Sequence, residues 1–253
     1  MNEEQIRKMV REGYAQRAQS GTSCCGSSSG CGCGPTVQDL SKAVGYTDAD
    51  LQAVPDGANL GLGCGNPVAL ASLREGETVL DLGSGPGFDC FLAAQRVGPS
   101  GRVIGVDMTP EMLQRARDNA RTGNYANVEF RLGEIEHLPV PDGSVDAVIS
   151  NCVINLSPDK PAAFREAFRA LRPGGRLMVS DIVLLRELPD AVRKSMEAYV
   201  ECVAGASLKD DYLDAIRGAG FQDAQIVGET SYSLDERLGI HAASVLVEAR
   251  KAL

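Results

Sequence analysis

The residues in this chain best suited to chemistry are eight cysteines, at positions 24, 25, 31, 33, 64, 90, 152 and 202. A deprotonated thiol is both a strong nucleophile and a ligand for soft ions, so their placement matters more than their number. Cys24, Cys25, Cys31 and Cys33 crowd into SGTSCCGSSSGCGCGP, a glycine- and serine-rich stretch that cannot build a core. Its CC and CGC spacings do not match the paired C-x₂-C geometry of zinc knuckles, and a thiophilic ligand suits them better. Cys64 stands between two glycines in NLGLGCGNP, a setting expected to expose its thiol rather than pack it. Cys90 falls among Phe91, Leu92 and Ala93 and reads as packing. The two histidines, His137 and His241, have no partner at ligand spacing and read as structural or surface residues.

A second chemical signal is TVLDLGSGPGFD, residues 78–89. It reads as a buried strand, a glycine turn through Gly83, Gly85 and Gly87, and a helix start with free backbone N–H groups facing a ligand. A dinucleotide fingerprint would need glycine where Phe88 stands. Asp81 precedes the turn, and Asp107 ends the next apolar run, RVIGVD, where a carboxylate can take both hydroxyls of a ribose. The D-x-G-x-G-x-G pattern followed by this acid resembles the class I S-adenosylmethionine (SAM) methyltransferases. That resemblance implies a SAM site at Asp81, Gly83, Ser84, Gly85, Gly87, Asp107 and Met108. Gly133, Glu134 and Ile135 then lie near the adenine, and Asn151 stands on the ligand side of the fourth strand.

These groups need a frame. At 253 residues the chain suits one α/β domain with an appendage. From Thr78 onward strands and helices alternate, as in a Rossmann-like parallel sheet with helices on both faces. Strands are expected over 78–82, 102–107, 128–132, 144–150 and 176–184, with closing strands over 224–232 and 243–249. Helices are expected over 109–121, where Thr109 caps and Pro110 is first, and over 161–171, 189–203 and 208–218. Before the sheet, residues 3–19 show helical spacing of Ile6, Met9, Val10 and Tyr14, and Thr47 is a cap within a second helical stretch. The division expected is 1–58 for the helical, Cys-rich lid and loading segment, 59–185 for the SAM core, and 186–253 for site helices and closing strands.

A net charge of −9 leaves no basic stripe for nucleic acid. No apolar run is long enough to span a membrane, and the charged N-terminus is unlike a secretory signal. A cytoplasmic setting, with reduced thiols, is expected.

A more specific signal is SNCVINLSPDK, around Cys152. Together with GCG around Cys64, ECVAGA around Cys202 and DLGSGPGFDC, it resembles the arsenite methyltransferase family from about Cys24 to Gly220. The resemblance implies trivalent arsenic bound by Cys64, Cys152 and Cys202, with Cys33 the favoured N-terminal partner in catalysis, Cys31 next. It also implies trivalent arsenicals, free or as thiol conjugates, as substrates, and thioredoxin or glutathione as reductant. Gly61 and Leu62 stand where some members carry aromatics, and a C-terminal domain of longer members is expected to be reduced or missing. Two other readings remain: a SAM methyltransferase for a small organic acceptor, and a thiol-based metalloid or redox sensor on a SAM-type scaffold.

Overall fold

The computed structural model describes residues 2–20, 36–66, 72–193, 195–200, 202–235 and 240–253. Cys24, Cys25, Cys31 and Cys33 lie outside the described residues. One seven-stranded sheet runs in the order β3-β2-β1-β4-β5-β7-β6. Its strands are β1 (Thr78–Leu82), β2 (Arg102–Asp107), β3 (Val128–Leu132), β4 (Val145–Asn151), β5 (Leu171–Leu184), β6 (Gln222–Asp235) and β7 (Ile240–Arg250). The first five are parallel, and β7 lies antiparallel between β5 and β6. The order reverses between β1 and β4, so the connections leaving their carboxyl ends diverge and open a crevice there.

Period-two burial explains the layers. On β1, Leu80 and Leu82 join Val148, Phe164 and Tyr212 in the core of one sheet face. Val79 joins Phe91, Leu113 and Ile149 on the other. The first face is covered by α6 (Lys160–Ala170) and α9 (Lys209–Gly218), where Phe164 meets Tyr212 edge to face at 5.4 Å. The second is covered by α4 (Phe88–Val97) and α5 (Pro110–Thr122). Truncating a fully buried residue such as Leu80 to alanine would cost about 2–5 kcal/mol.

Ahead of the sheet, α1 (Glu3–Ser20) packs on α5, and α2 (Val37–Ala43) and α3 (Asp48–Gln52) follow. Thr36 and Thr47 each close a capping box with the aspartate three residues on. Thr109 occupies the cap position of α5 but makes no side-chain cap bond, contrary to expectation. Its N–H instead donates to Asp107 Oδ1 at 2.8 Å. The helix expected over 189–203 is two short pieces, α7 (Asp190–Arg193) and α8 (Met196–Val200). Ser195 restarts the chain, its hydroxyl accepting from Ala198 N at 3.2 Å. Cys202 lies beyond α8 with φ of 64°, so it is not helical. Among the described residues no helix is long and apolar enough to cross a membrane.

Candidate active site

The crevice at the strand ends encloses roughly 1140 Å³ of empty space, its open mouth included. Its walls come from the glycine turn, the end of β2, the loop after β3, the end of β4, the 58–63 loop and α1. The three turn glycines do different work. A Cβ on Gly85 (φ 51°) would meet nothing within 4 Å, so this residue leaves open space for a ligand. One on Gly83 (φ 68°) would collide with Val153. One on Gly87 (φ 97°) would sit 2.8 Å from both Phe91 and Phe130. Gly87 thus also allows close packing of the helix against Phe91 and Phe130.

Of the other expected cofactor residues, Asp81, Ser84, Asp107, Met108, Gly133, Ile135 and Asn151 line the cleft. Glu134 does not; it pairs with Arg7 at 3.5 Å and Arg11 at 3.2 Å, pinning α1 over the site. Asp107 accepts from Gly85 N at 2.9 Å, which ties the turn to the end of β2. Ser84 Oγ is buried without a hydrogen-bond partner among the described residues, a hydroxyl left over for a ligand.

Three carboxyls, Asp81, Asp89 and Asp107, gather here, and burial pushes the pKa of each upward. At Asp81 the neighbouring Asp89 charge raises it further. The thiol of Cys90 donates to Asp81 Oδ2 at 3.1 Å, so this fully buried cysteine supports a site carboxyl as well as packing. Tyr46, singled out by no sequence pattern, donates to Asp89 Oδ1 at 2.6 Å.

The second half of the site is made of sulfur. Cys64, Cys152 and Cys202 arrive from three separate segments. The neighbouring Cys202 and Cys64 thiols push the Cys152 pKa well above the ordinary thiol value, and burial adds to the effect. Cys202 Sγ lies 3.2 Å from Cys152 O, and the Cys64 thiol is 3.7 Å from Ser180 O. Burial raises the Cys64 pKa as well. Cys152 and Cys202 both hold left-handed backbone, at φ 60° and 64°, which turns each side chain into the pocket.

Cys64 is half-buried, and its flanking glycines do not expose it. A Cβ on Gly63 would stand 2.6 Å from Asn151 Nδ2, and one on Gly65 would collide with Ser180 Oγ. The glycines therefore press the loop against the ends of β4 and β5. Ser244 fastens it from β7, donating to Cys64 O at 2.7 Å.

Ligand atoms of Cys64, Cys152 and Asp181 lie within 4.8 Å of one another. Asp181 is fully buried. Its Oδ1 accepts from Asn155 Nδ2 at 2.8 Å and Ile182 N at 2.9 Å, and its Oδ2 from Tyr212 Oη at 3.1 Å and Asn155 N at 3.2 Å. With four donors on two oxygens its lone pairs are spoken for, leaving ligand duty to the thiols. Burial lifts its pKa to about 7. Tyr14 of α1 completes the pocket, its hydroxyl 4.0 Å from Cys202 Sγ. Asp181 went unmarked because a single Asp on a strand carries no spacing signal, and Tyr14 was marked only as part of a helical face.

Chemically, the arrangement sets a soft-ligand pocket against a cleft with an anionic lining. Cys152 touches both, since it also lines the cleft. The model of a methyltransferase domain family matches residues 73–220. The arsenite methyltransferase of Halobacterium salinarum is 50% identical over 98% of this chain and 67% of its own length. That of Aquipseudomonas alcaligenes is 46% identical over 70% of this chain and 54% of its own. The chain thus spans between about half and two thirds of these relatives. The crystal structure of an arsenic(III) S-adenosylmethionine methyltransferase from Chlamydomonas reinhardtii superposes with a TM-score of 0.69 at 36% identity, covering 87% of this chain and 75% of that one.

Proposed function

The chain belongs to the arsenite methyltransferase family, and from that premise we propose that it methylates trivalent arsenic held by Cys64, Cys152 and Cys202. The observation that carries this reading is that Cys64 and Cys152 share one close cluster beside the cofactor cleft while Cys202 Sγ lies 3.2 Å from the Cys152 carbonyl, three thiols from distant segments. Trivalent arsenic is soft and pyramidal, so three sulfurs complete its coordination and leave its lone pair free.

The cleft fits SAM, the cofactor of this family. Gly85 leaves room for it, the unpartnered Ser84 hydroxyl awaits a partner, and the buried Asp81, Asp89 and Asp107 suit a cationic guest. Asp81, Ser84, Gly85, Asp107, Met108, Gly133, Ile135 and Asn151 would hold it. When bound, SAM supplies an electrophilic methyl group, and the electron pair of the broken S–C bond stays on its sulfur. The protein's part is positioning, a contribution worth several kcal/mol, and the arsenic lone pair makes a general base unnecessary.

The raised pKa values of Cys64 and Cys152 suit arsenous acid. Three neutral thiols and As(OH)₃ condense to As(SR)₃ and three waters, each thiol proton leaving with a hydroxyl, so the net loading releases no acid. After methyl transfer the arsenic is formally pentavalent. Cys33 returns it to the trivalent state by attacking the Cys64 sulfur: the disulfide forms, the As–Cys64 bond breaks with its electron pair staying on arsenic, and the one proton of the Cys33 thiol is released. Thioredoxin or glutathione then resets the pair by thiol exchange in a reducing cytoplasm.

The test is a turnover assay with arsenite, SAM and excess thiol, resolving arsenic species by chromatography. Methylated arsenic from wild type and none from Cys152→Ser is the expected result. Cofactor binding without methylated arsenic would point to an organic acceptor, and no cofactor binding to a sensor. Cys33→Ser should slow arsenite more than a monomethylated arsenical; equal losses would sink its separate role.

A further inference from the structure

Between the two halves of the site sits one primary amide. Asn151 Nδ2 lies 2.8 Å from Gly65 O, 2.9 Å from Tyr46 Oη and 3.1 Å from Asp89 Oδ2, and its Oδ1 accepts from Cys64 N at 3.2 Å. Its orientation is fixed by these neighbours: flipping the amide would set its oxygen against a carbonyl and a carboxylate. Tyr46, Asp89, Gly63 and Asn151 all line the cofactor cleft, whereas Cys64 belongs to the thiol pocket. The close approach of Gly63 leaves no space for a side chain between the amide and the loop.

The arithmetic of this amide is uneven. Its nitrogen carries two hydrogens and faces three acceptors, so one acceptor is always short. Two of the three, Tyr46 and Asp89, face the cofactor; the third, Gly65 O, belongs to the peptide that carries Cys64. A guest in the cleft that donates to Asp89 or Tyr46 relieves the competition. Both amide hydrogens can then serve the loop and the remaining acceptor.

We propose that Asn151 is a positioning residue that couples the two binding events: filling the cofactor cleft commits its amide to the Cys64 loop, fixes that thiol, and so tightens arsenical binding. The effect must be reciprocal, arsenical binding tightening the cofactor by the same factor. This rests on the arsenic reading above.

The experiment is equilibrium dialysis of arsenite against the full chain, with and without saturating S-adenosylhomocysteine, which fills the cleft without methyl transfer. Wild type should bind arsenite about fivefold tighter or more in its presence, the lower end of typical coupling. In Asn151→Ala the ratio should fall below about twofold while both ligands still bind. A ratio of one in wild type, with both ligands bound, overturns the coupling and leaves the arsenic reading standing. An undiminished ratio in Asn151→Ala overturns the role of the amide. Wild type that binds S-adenosylhomocysteine but no arsenite removes the arsenic reading, and this inference with it.

A second measurement uses no variant at Asn151. Hydrogen exchange of the Cys64 amide should slow when S-adenosylhomocysteine binds wild type. In Asp89→Ala, which removes both carboxylate acceptors and leaves one amide hydrogen each for Gly65 O and Tyr46, exchange should already be slow without ligand. Exchange indifferent to both changes overturns the proposal.

Discussion

The two halves of the site are built on opposite plans. The cofactor half is local: Asp81 to Asp89 is one continuous turn, and Asp107 reaches it through a backbone N–H of that turn. The thiol half is assembled at long range, Cys64, Cys152 and Cys202 meeting only because β4 and β5 end where the 59–66 loop folds over them. One half is written in a dozen residues and the other in a topology. They should therefore fail separately.

The largest test of that separation is the sulfur itself. Cys152→Ser or Cys202→Ser should lower arsenic methylation by at least about a hundredfold, the scale of lost substrate positioning. S-adenosylhomocysteine affinity should stay within about twofold, measured by calorimetry. Asp107→Ala should do the reverse, weakening S-adenosylhomocysteine about tenfold while arsenite still binds one per chain. If a cysteine variant lost both ligands, the halves would be one structural unit.

Within the glycine turn the comparison sharpens further. Gly87→Ala forces a side chain into left-handed backbone and into Phe91 and Phe130, a cost of about 2–4 kcal/mol read by denaturant unfolding. Gly85→Ala bears only the backbone penalty, about 1–2 kcal/mol, yet should weaken cofactor binding more, because its Cβ points into open cleft. The reverse ranking in either measurement would reassign the two glycines.

Asp181 gives the thiol half a pH signature. Its folded pKa of about 7 lies above the ordinary 3.8, because burial disfavours the charge. The folded protein keeps a proton that the unfolded chain releases across that window, so this stabilising contribution is full below about pH 4 and is lost as pH rises through 7. At most it amounts to about 4 kcal/mol. Asp181→Asn should flatten the fall of the unfolding midpoint between pH 4 and 7. A slope equal to wild type would mean that the carboxyl is charged in the fold.

A local effect, without consequence for the thiol half, is expected at Cys90. Cys90→Ala removes the donor to Asp81 and should cost about 1–3 kcal/mol of stability. Cys90→Ser, which keeps a donor, should recover part of it. Identical unfolding midpoints for the two variants would return Cys90 to packing alone.

What could be read from the residues follows the same division. The parallel sheet, the glycine turn and Asp107 were legible because periodicity and short-range spacing encode them. Cys64, Cys152 and Cys202 were legible only through family resemblance, since no local rule links residues so far apart. Spacing also left roles unseen. Gly87, read as part of the ligand turn, also answers to Phe91 and Phe130. The glycines beside Cys64 looked like exposure, yet they permit close packing on Asn151 and Ser180. Glu134 stood in the right loop but turned to Arg7 and Arg11. The helix expected over 189–203 broke where Ser195 offered a better cap than the continuing turn. Tyr46 and Asp181 gave no signal, and Tyr14 only a helical one, because their importance lies in partners that only the fold supplies.

The left-handed backbone at Cys152 and Cys202 has an evolutionary side. A cysteine there forgoes about 1–2 kcal/mol that glycine would not, roughly what burying its sulfur returns. Backbone penalty and burial gain therefore roughly cancel at each position. On the arsenic reading, it is selection for that chemistry, more than for folding, that keeps a cysteine at either place.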